Sequence, residues 1–140
     1  METGTVHGAC LCGAVRFQIQ LPTEFCAHCH CSMCRRTHGA GYVTWVVLPR
    51  EHFTLLAGQE RLVHYRSSDH GTRSFCGTCG STLLFESTHR PDTFDIVLAN
   101  IAGEIDRAPE AHVFYSDRAA WVHVADDLPR LGGESGFEPL

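Results

Sequence analysis

The segment CGTCG at residues 76–80 is the most informative part of this 140-residue sequence. Its two cysteines, Cys76 and Cys79, form a C-x-x-C knuckle, in which both thiolates project from one tight turn and the glycines permit the backbone geometry. A knuckle of this kind supplies half of a tetrahedral zinc site. Two further thiolate or imidazole ligands are needed to complete the site.

A second glycine-flanked pair, Cys10 and Cys12, precedes the first predicted strand and is the natural source of those two ligands. The four thiolates would form a structural site that connects the N-terminal region to the middle of the chain, so that metal binding contributes to folding. Alternatively, Cys10 and Cys12 are small buried apolar residues, as isolated cysteines often are. Because both pairs are followed by glycine, metal binding is the favoured interpretation.

A third cluster, Cys29, Cys31 and Cys34, places three thiols within six positions. C-x-C and C-x-x-C spacings both return the sulfur to the same side, so the three thiolates can share one metal. The start of a short predicted helix, together with Arg35 and Arg36, favours the thiolate form. With three protein ligands the fourth position stays open, which is typical of a catalytic zinc.

Cys26, three residues before Cys29, leaves two alternatives open. If Cys26 also binds the metal, the second site has four thiolates and is purely structural. Alternatively, the pair Cys26 and Cys29 or the pair Cys31 and Cys34 is a redox dithiol, although no thioredoxin-like βαβ pattern surrounds either pair.

Alternating apolar and polar residues predict short strands through most of the chain. In the first of them, Ala14–Gln20, Val15, Phe17 and Ile19 share one face. The other predicted strands are Tyr42–Leu48, Phe53–Leu56, Leu62–Arg66, Thr72–Phe75, Ser81–Glu86, Phe94–Leu98 and His112–Phe114. A short helix is predicted from a Ser32 cap through Arg36, and no segment is suited to a crossover helix between strands. The sequence therefore predicts an antiparallel, mainly β domain with minimal helix.

Composition excludes several classes of function. The 11 basic residues, all of them Arg, stand against 16 acidic ones, so no positive excess is available to bind nucleic acid or an anionic membrane. No apolar run reaches the ~20 residues that cross a bilayer. The N-terminal residues carry no signal-peptide pattern, which favours the reducing cytoplasm. One domain over residues 1–131 is predicted, followed by a weakly ordered tail at residues 132–140.

Four motifs in this order resemble the glutathione-dependent formaldehyde-activating enzyme family, to which the centromere protein V domain also belongs. They are Gly8–Phe17, Cys29–Arg36, Phe75–Ser81, and the closing Ala120–Val124 with Asp127–Arg130. The resemblance implies a β-tent fold, in which small antiparallel sheets stack around zinc-binding cysteine knuckles, with two zinc ions per chain. It assigns the structural zinc to Cys10, Cys12, Cys76 and Cys79, and the catalytic zinc to Cys29, Cys31 and Cys34. It also implies a carbon–sulfur lyase whose namesake reaction joins glutathione to formaldehyde.

A thiol substrate could occupy the open zinc position as a thiolate and attack an aldehyde carbon. The alkoxide that forms needs a proton, and His30 and His38 are the nearest titratable candidates in the sequence. Arg35 and Arg36 could bind the carboxylates of an anionic thiol such as glutathione, or only support the helix end and the thiolates.

Two functions of other classes compete with this enzyme. One is a zinc-stabilised binding module without catalysis, and the other is a thiol redox or metal-handling protein. Exposed strand edges are also compatible with a homodimer.

Overall fold

The computed structural model describes residues 4–140, so the first three residues of the predicted domain lie outside the described range. The protein is mainly β, as predicted. Within residues 4–140, one α-helix and thirteen strands occur in this order: β1 (Gly4–Ala9), β2 (Arg16–Leu21), β3 (Phe25–Cys29), α1 (Ser32–His38), β4 (Val43–Pro49), β5 (Phe53–Ala57), β6 (Leu62–Arg66), β7 (Gly71–Cys76), β8 (Thr82–Ser87), β9 (Arg90–Val97), β10 (Ile101–Ala102), β11 (Ala111–Val113), β12 (Leu131–Gly132) and β13 (Glu138–Pro139). Short 3-10 turns lie at Arg50–His52, Gln59–Arg61, Leu98–Asn100 and Tyr115–Asp117.

The strands form two main sheets. One has four strands in the order β10-β1-β2-β5, and the other has seven in the order β11-β3-β4-β9-β8-β7-β6. Pairing is antiparallel as predicted, with one exception, because β11 lies parallel to β3. A parallel neighbour requires a long connection, and the chain supplies one because α1 and β4–β10 lie between β3 and β11 in the sequence.

Strand β2, in which apolar and polar residues alternate regularly, was predicted correctly. In β2, Phe17, Ile19 and Leu21 are buried, and the polar residues between them are not. Strands β1 and β3 were not predicted, since glycine, histidine and cysteine obscure their alternation. Gly8 of β1 is required by packing, because a Cβ atom there would collide with the Phe17 ring.

The core has two parts, on opposite faces of the seven-stranded sheet. Strand β4 contributes to both, because Val46 and Leu48 point to one face and Val43 and Trp45 to the other. The first part lies between the two main sheets and includes Val6, Val15, Phe17, Ile19, Leu84 and Ile96. The second part includes Ala27, Cys29, Cys34, Val97 and Val113.

Helix α1 begins one residue earlier than predicted. Cys31, rather than Ser32, is the N-cap: its backbone is extended and its Sγ accepts a hydrogen bond of 3.2 Å from the Cys34 N–H. The helix ends at His38, where Gly39 takes the left-handed conformation with φ of 61°. No helix within residues 4–140 is long and apolar enough to cross a membrane.

The C-terminal residues 132–140, whose composition predicts weak order, contain part of a short hairpin formed by β12 and β13. Gly136 takes a positive φ of 85°, and its carbonyl accepts a 2.9 Å hydrogen bond from the Phe114 N–H. The Phe137 ring packs edge-on against Phe114, with centroids 5.7 Å apart. These contacts attach the tail to the region that follows β11.

Candidate metal and thiol site

Cys10, Cys12, Cys76 and Cys79 come together as one cluster, with their sulfurs all within 4.8 Å of one another. The sulfurs of Cys10 and Cys12 lie 3.6 Å apart, and those of Cys12 and Cys76 lie 3.9 Å apart. A tetrahedral thiolate site with metal–sulfur bonds of ~2.3 Å has sulfur–sulfur edges of roughly 3.8 Å. The cluster therefore fits a tetrahedral metal ion, and its four cysteines are free thiols.

Backbone and hydroxyl groups support these sulfurs. The Val15 N–H donates to Cys10 Sγ over 3.3 Å, and the Thr78 N–H donates to Cys76 Sγ over 3.4 Å. Hydrogen bonds from the Ser81 side chain and backbone lower the pKa of Cys79 to about 5. The turn around the knuckle thus favours the thiolate form that metal binding requires.

Cys29, Cys31 and Cys34, hereafter the thiol triplet, form the second cluster, again with sulfurs within 4.8 Å of one another. Cys29 ends β3, Cys31 caps α1, and Cys34 lies in the first turn of α1. Hydrogen bonds from the thiols of Cys29 and Cys34 lower the pKa of Cys31 to about 2. Cys29 and Cys34 are buried, whereas Cys31 is half-buried, so the triplet is reached from the Cys31 side.

Two residues that sequence reasoning missed contact the thiol triplet. The Trp45 Nε1–H donates to Cys34 Sγ over 3.4 Å. Both terminal nitrogens of Arg73 lie 3.7 Å from the same sulfur, and Arg73 is only 4% exposed and lies over the Phe85 ring. A cation in this position stabilises negative charge on sulfur. The cation beside the thiolates is therefore Arg73.

The sequence does not single out Arg73, because its neighbours in the predicted strand do not distinguish it from an arginine that faces solvent. It lies in β7, opposite Phe85 of β8, and its guanidinium group contacts Cys34 of α1. Thr37 of α1 is 3.5 Å from its Nη1. Only the packing of the helix on the sheet buries this arginine.

Arg35 and Arg36, the two predicted partners of the triplet, lie in the last turn of α1. Arg35 donates to the carbonyl oxygens of His30 and Asp117, which connects α1 to the segment after β11. Arg36 is exposed. Their charges complement the C-terminal end of the helix dipole.

The two predicted proton-transfer residues lie on opposite sides of the sheet. His30 is hydrogen-bonded to His112 over 2.8 Å and packs between Tyr42 and Tyr115, away from the sulfurs. His38 lies edge-on to Trp45, on the side that carries the thiol triplet. Burial, and then the charge of Arg73, lower the pKa of His38 to about 4, so its imidazole is neutral at pH 7.

Cys26 lies on the opposite face of β3 from Cys29. It is fully buried in the core between the two main sheets, whereas Cys29 belongs to the other part of the core. A separation of three residues reverses the side-chain direction in a strand. The alternatives in which Cys26 binds the triplet's metal or forms a redox pair with Cys29 are therefore wrong.

Buried polar atoms without partners mark the thiol triplet as a binding site. Nε2 of His38 and Nε of Arg73 are both buried and form no hydrogen bond within the described residues. The same holds for Nδ1 of His30, on the opposite side of the sheet. Buried polar atoms are nearly always paired in folded proteins. Two of these three atoms lie on the side of the sheet that carries the thiol triplet, which makes that side a candidate site for a polar ligand.

Two comparisons with known proteins name the same family. The profile described as glutathione-dependent formaldehyde-activating enzyme matches residues 5–117. A Halomonas elongata protein, provisionally named as such an enzyme, is 30% identical over 127 residues, which are 85% of this chain and 80% of that protein. An uncharacterized lyase of Schizosaccharomyces pombe is 27% identical over 90 residues, 64% of each chain. The crystal structure of a Rhodobacter sphaeroides protein superposes with a TM-score of 0.61 at 26% identity, covering 71% of this chain and 91% of that one.

Proposed function

The chain belongs to the glutathione-dependent formaldehyde-activating enzyme family, and on that premise we propose that it is a carbon–sulfur lyase acting on adducts of small thiols with aldehydes. The observation that carries the proposal is the thiol triplet, with Arg73 and Trp45 against Cys34 and the unpartnered Nε2 of His38 nearby. S-hydroxymethylglutathione is the representative substrate.

We propose that both cysteine clusters hold zinc, which makes two ions per chain. Cys10, Cys12, Cys76 and Cys79 would hold a structural ion, and the thiol triplet would hold a catalytic one. Zinc bound by three protein ligands keeps a position for a substrate sulfur and stabilises it as a thiolate. The Arg73 guanidinium offsets the negative charge that three thiolates and a substrate sulfur would place in a buried site.

The remaining steps are a proton transfer and the orientation of the thiolates. In the cleavage direction the hydroxyl proton of the adduct passes to a base, the O–H electron pair becomes the carbonyl bond, and the C–S pair leaves with sulfur. His38 is neutral and has a free buried Nε2, so we assign it as that base. In the synthetic direction the same proton returns to the oxygen. Trp45 and Arg73 orient Cys34 throughout.

We propose glutathione as the thiol, in line with the name of the family. Arg36 of α1 is exposed and would bind a carboxylate of an anionic thiol, whereas Arg35 donates its hydrogen bonds to backbone carbonyl groups. We propose a cytoplasmic location, where reduced thiols persist, and one domain over residues 1–131.

We also propose a homodimer that forms through the exposed edge strand β6, where Val63 and Tyr65 face solvent. Light scattering, which measures the molar mass in solution, tests this proposal.

The test compares serine variants of the two cysteine clusters. Cys31→Ser is the first choice in the thiol triplet, because Cys31 is less buried than its neighbours, and Cys79→Ser is the matched change in the other cluster. We expect Cys31→Ser to lose turnover of the thiol–aldehyde adduct and one zinc per chain while the melting temperature is kept. Cys79→Ser should lower the melting temperature sharply.

Two results would contradict the proposal. If Cys31→Ser and Cys79→Ser unfold the chain equally, both clusters are structural and the protein is a zinc-stabilised binding module. If the wild-type protein does not accelerate formation or cleavage of the adduct above the spontaneous rate, the lyase assignment is wrong.

A further inference from the structure

Histidines gather on the face of β3 that lies opposite the thiol triplet. His28 of β3 and His112 of β11 stand side by side because the parallel register pairs these two residues. Asp126, in the closing segment of the chain, completes the group. We propose that His28, His112 and Asp126, hereafter the histidine–aspartate cluster, bind a divalent first-row transition-metal ion, at a site separate from both cysteine clusters.

The donor atoms of the cluster are close enough to share one ion. One ligand atom from each residue lies within 4.8 Å of the other two. Nε2 of His112 is 2.9 Å from Oδ2 of Asp126, and the rings of His28 and His112 are 4.9 Å apart between centroids. Metal–ligand bonds of ~2.1 Å place neighbouring donors about 3 Å apart, so only a small movement of His28 is needed.

In each of the two histidines, Nδ1 forms a hydrogen bond with a neighbouring side chain, as is common in histidines that bind metals. His28 Nδ1 lies 2.8 Å from the Thr44 hydroxyl, and His112 Nδ1 lies 2.8 Å from His30 Nε2. Histidines that bind metals almost always use the second nitrogen for such a hydrogen bond, which fixes the ring orientation and the tautomer. Nε2 of His112 donates a hydrogen bond of 2.9 Å to Oδ2 of Asp126, and a divalent ion would bind between these two atoms in place of that proton.

The carboxylate follows the same pattern. Oδ1 of Asp126 accepts hydrogen bonds from the Leu128 N–H over 3.0 Å and from Arg130 over 3.3 Å. Oδ2 is left facing His112. The Asp126 side chain is 41% exposed while that of His112 is fully buried, so the ion would enter from the Asp126 side, where water completes its coordination.

The donor types select the class of ion. Two imidazoles and one carboxylate suit zinc, cobalt, nickel, copper or iron, whereas magnesium and calcium prefer oxygen donors. The bound ion would connect the closing segment at Asp126 to β3 and β11. Since the folded chain alone assembles these three residues, binding should stabilise it.

The experiment titrates zinc into protein whose two cysteine clusters are already loaded, in competition with a chromophoric chelator. We expect one further equivalent to bind, and Asp126→Asn to weaken its binding at least tenfold while the cysteine-bound zinc content is unchanged. Thr44→Val, which keeps all three ligands and removes the hydroxyl beside His28, should weaken binding by roughly 10 to 100-fold.

A matched control uses a pair of exposed histidines, His70 and His89, whose rings stack 4.2 Å apart. His89→Gln should leave the further equivalent in place. The proposal is overturned if wild-type protein binds no further equivalent, or if that equivalent survives Asp126→Asn and disappears in His89→Gln.

Cobalt gives an independent reading of the donor atoms. Co²⁺ added to the zinc-loaded protein should produce weak visible bands without the near-ultraviolet sulfur-to-cobalt charge-transfer band, since the cluster contains no thiolate. A strong charge-transfer band would show that the added ion binds the cysteines, and it would contradict the proposal. Because this readout needs no turnover, it is independent of the proposed lyase activity.

Discussion

The guanidinium group of Arg73 lies 3.7 Å from the sulfur of Cys34, although 39 residues separate them in the chain. Strand β7 accounts for this relationship, because it carries Arg73 in its middle and Cys76 at its end. One strand therefore supplies both a cysteine of the four-cysteine cluster and the buried cation beside the thiol triplet. A change in the position of the knuckle would move the charge beside Cys34.

Removal of the buried cation should impair the thiol triplet specifically. We expect Arg73→Met to reduce turnover of the thiol–aldehyde adduct about tenfold or more, because the negative charge on sulfur loses its nearest compensation. Arg73→Lys should recover part of that loss, since it keeps the charge and loses the planar fork. Steady-state rates and metal content of the three proteins check this. Equal rates for Arg73→Met and wild type would show that the guanidinium does not assist the reaction.

His38 and His30 should respond differently to the same substitution. His38→Gln is expected to lower turnover with little effect on the melting temperature. His30→Gln is expected to lower the melting temperature, because His30 is fully buried and hydrogen-bonded to His112. Turnover and thermal unfolding of both variants decide the matter. A larger loss of turnover in His30→Gln, with the fold intact, would reverse the assignment of the base.

Cys26 should be dispensable for metal binding. Cys26→Ala is expected to leave zinc content and turnover unchanged and to cost roughly 1 kcal/mol of unfolding free energy, from the lost packing of one buried sulfur. Cys29→Ala, three residues away on the other face of β3, should lose one zinc per chain. Elemental analysis and urea unfolding test both. Loss of zinc in Cys26→Ala would place this sulfur in the metal site after all.

Acid should remove a contribution to stability made by Asp106. Burial alone would raise the pKa of Asp106, but hydrogen bonds from the Thr23 hydroxyl and N–H, together with Arg107, lower it below 3.8. A lowered folded-state pKa means that the contribution is complete above the ordinary pKa and is lost as pH falls through the folded value. Asp106→Asn should therefore cost about 2 kcal/mol at neutral pH.

The difference in unfolding free energy between wild type and Asp106→Asn should shrink below pH ~4. The comparison of two proteins at each pH cancels the loss of metal that acid causes in both. A difference that stays constant with pH would show that Asp106 contributes by packing and not by its charge.

The tail should contribute measurably to stability. Phe137→Ala is expected to cost about 1 kcal/mol, because the edge-on pair with Phe114 is lost. Gly136→Ala should cost more, since a Cβ atom at this positive-φ residue would collide with the Phe114 ring. Urea unfolding of both variants provides the measurement. No change in either variant would mean that residues 132–140 do not pack on the domain in solution.

The sequence by itself determined the mainly β class, most of the strand positions and the grouping of the cysteines. These features depend on short-range rules: side chains alternate across a strand, and C-x-C and C-x-x-C spacings bring sulfurs together within one turn. Strands β1 and β3 escaped because glycine, histidine and cysteine are poor indicators of alternation. Cys10 and Cys12 lie in one cluster with Cys76 and Cys79, as the two glycine-flanked pairs predict.

Only the tertiary structure shows which residues from distant parts of the chain lie together on the same face of the sheet. The burial of Arg73 beside Cys34, the separation of Cys26 and His30 from the thiol triplet, and the meeting of His28, His112 and Asp126 all depend on strand order. Strand order follows from the packing of whole sheets and helices, to which many distant residues contribute. Because no local sequence pattern specifies strand order, only the folded structure identifies the side chains that lie next to the cysteines.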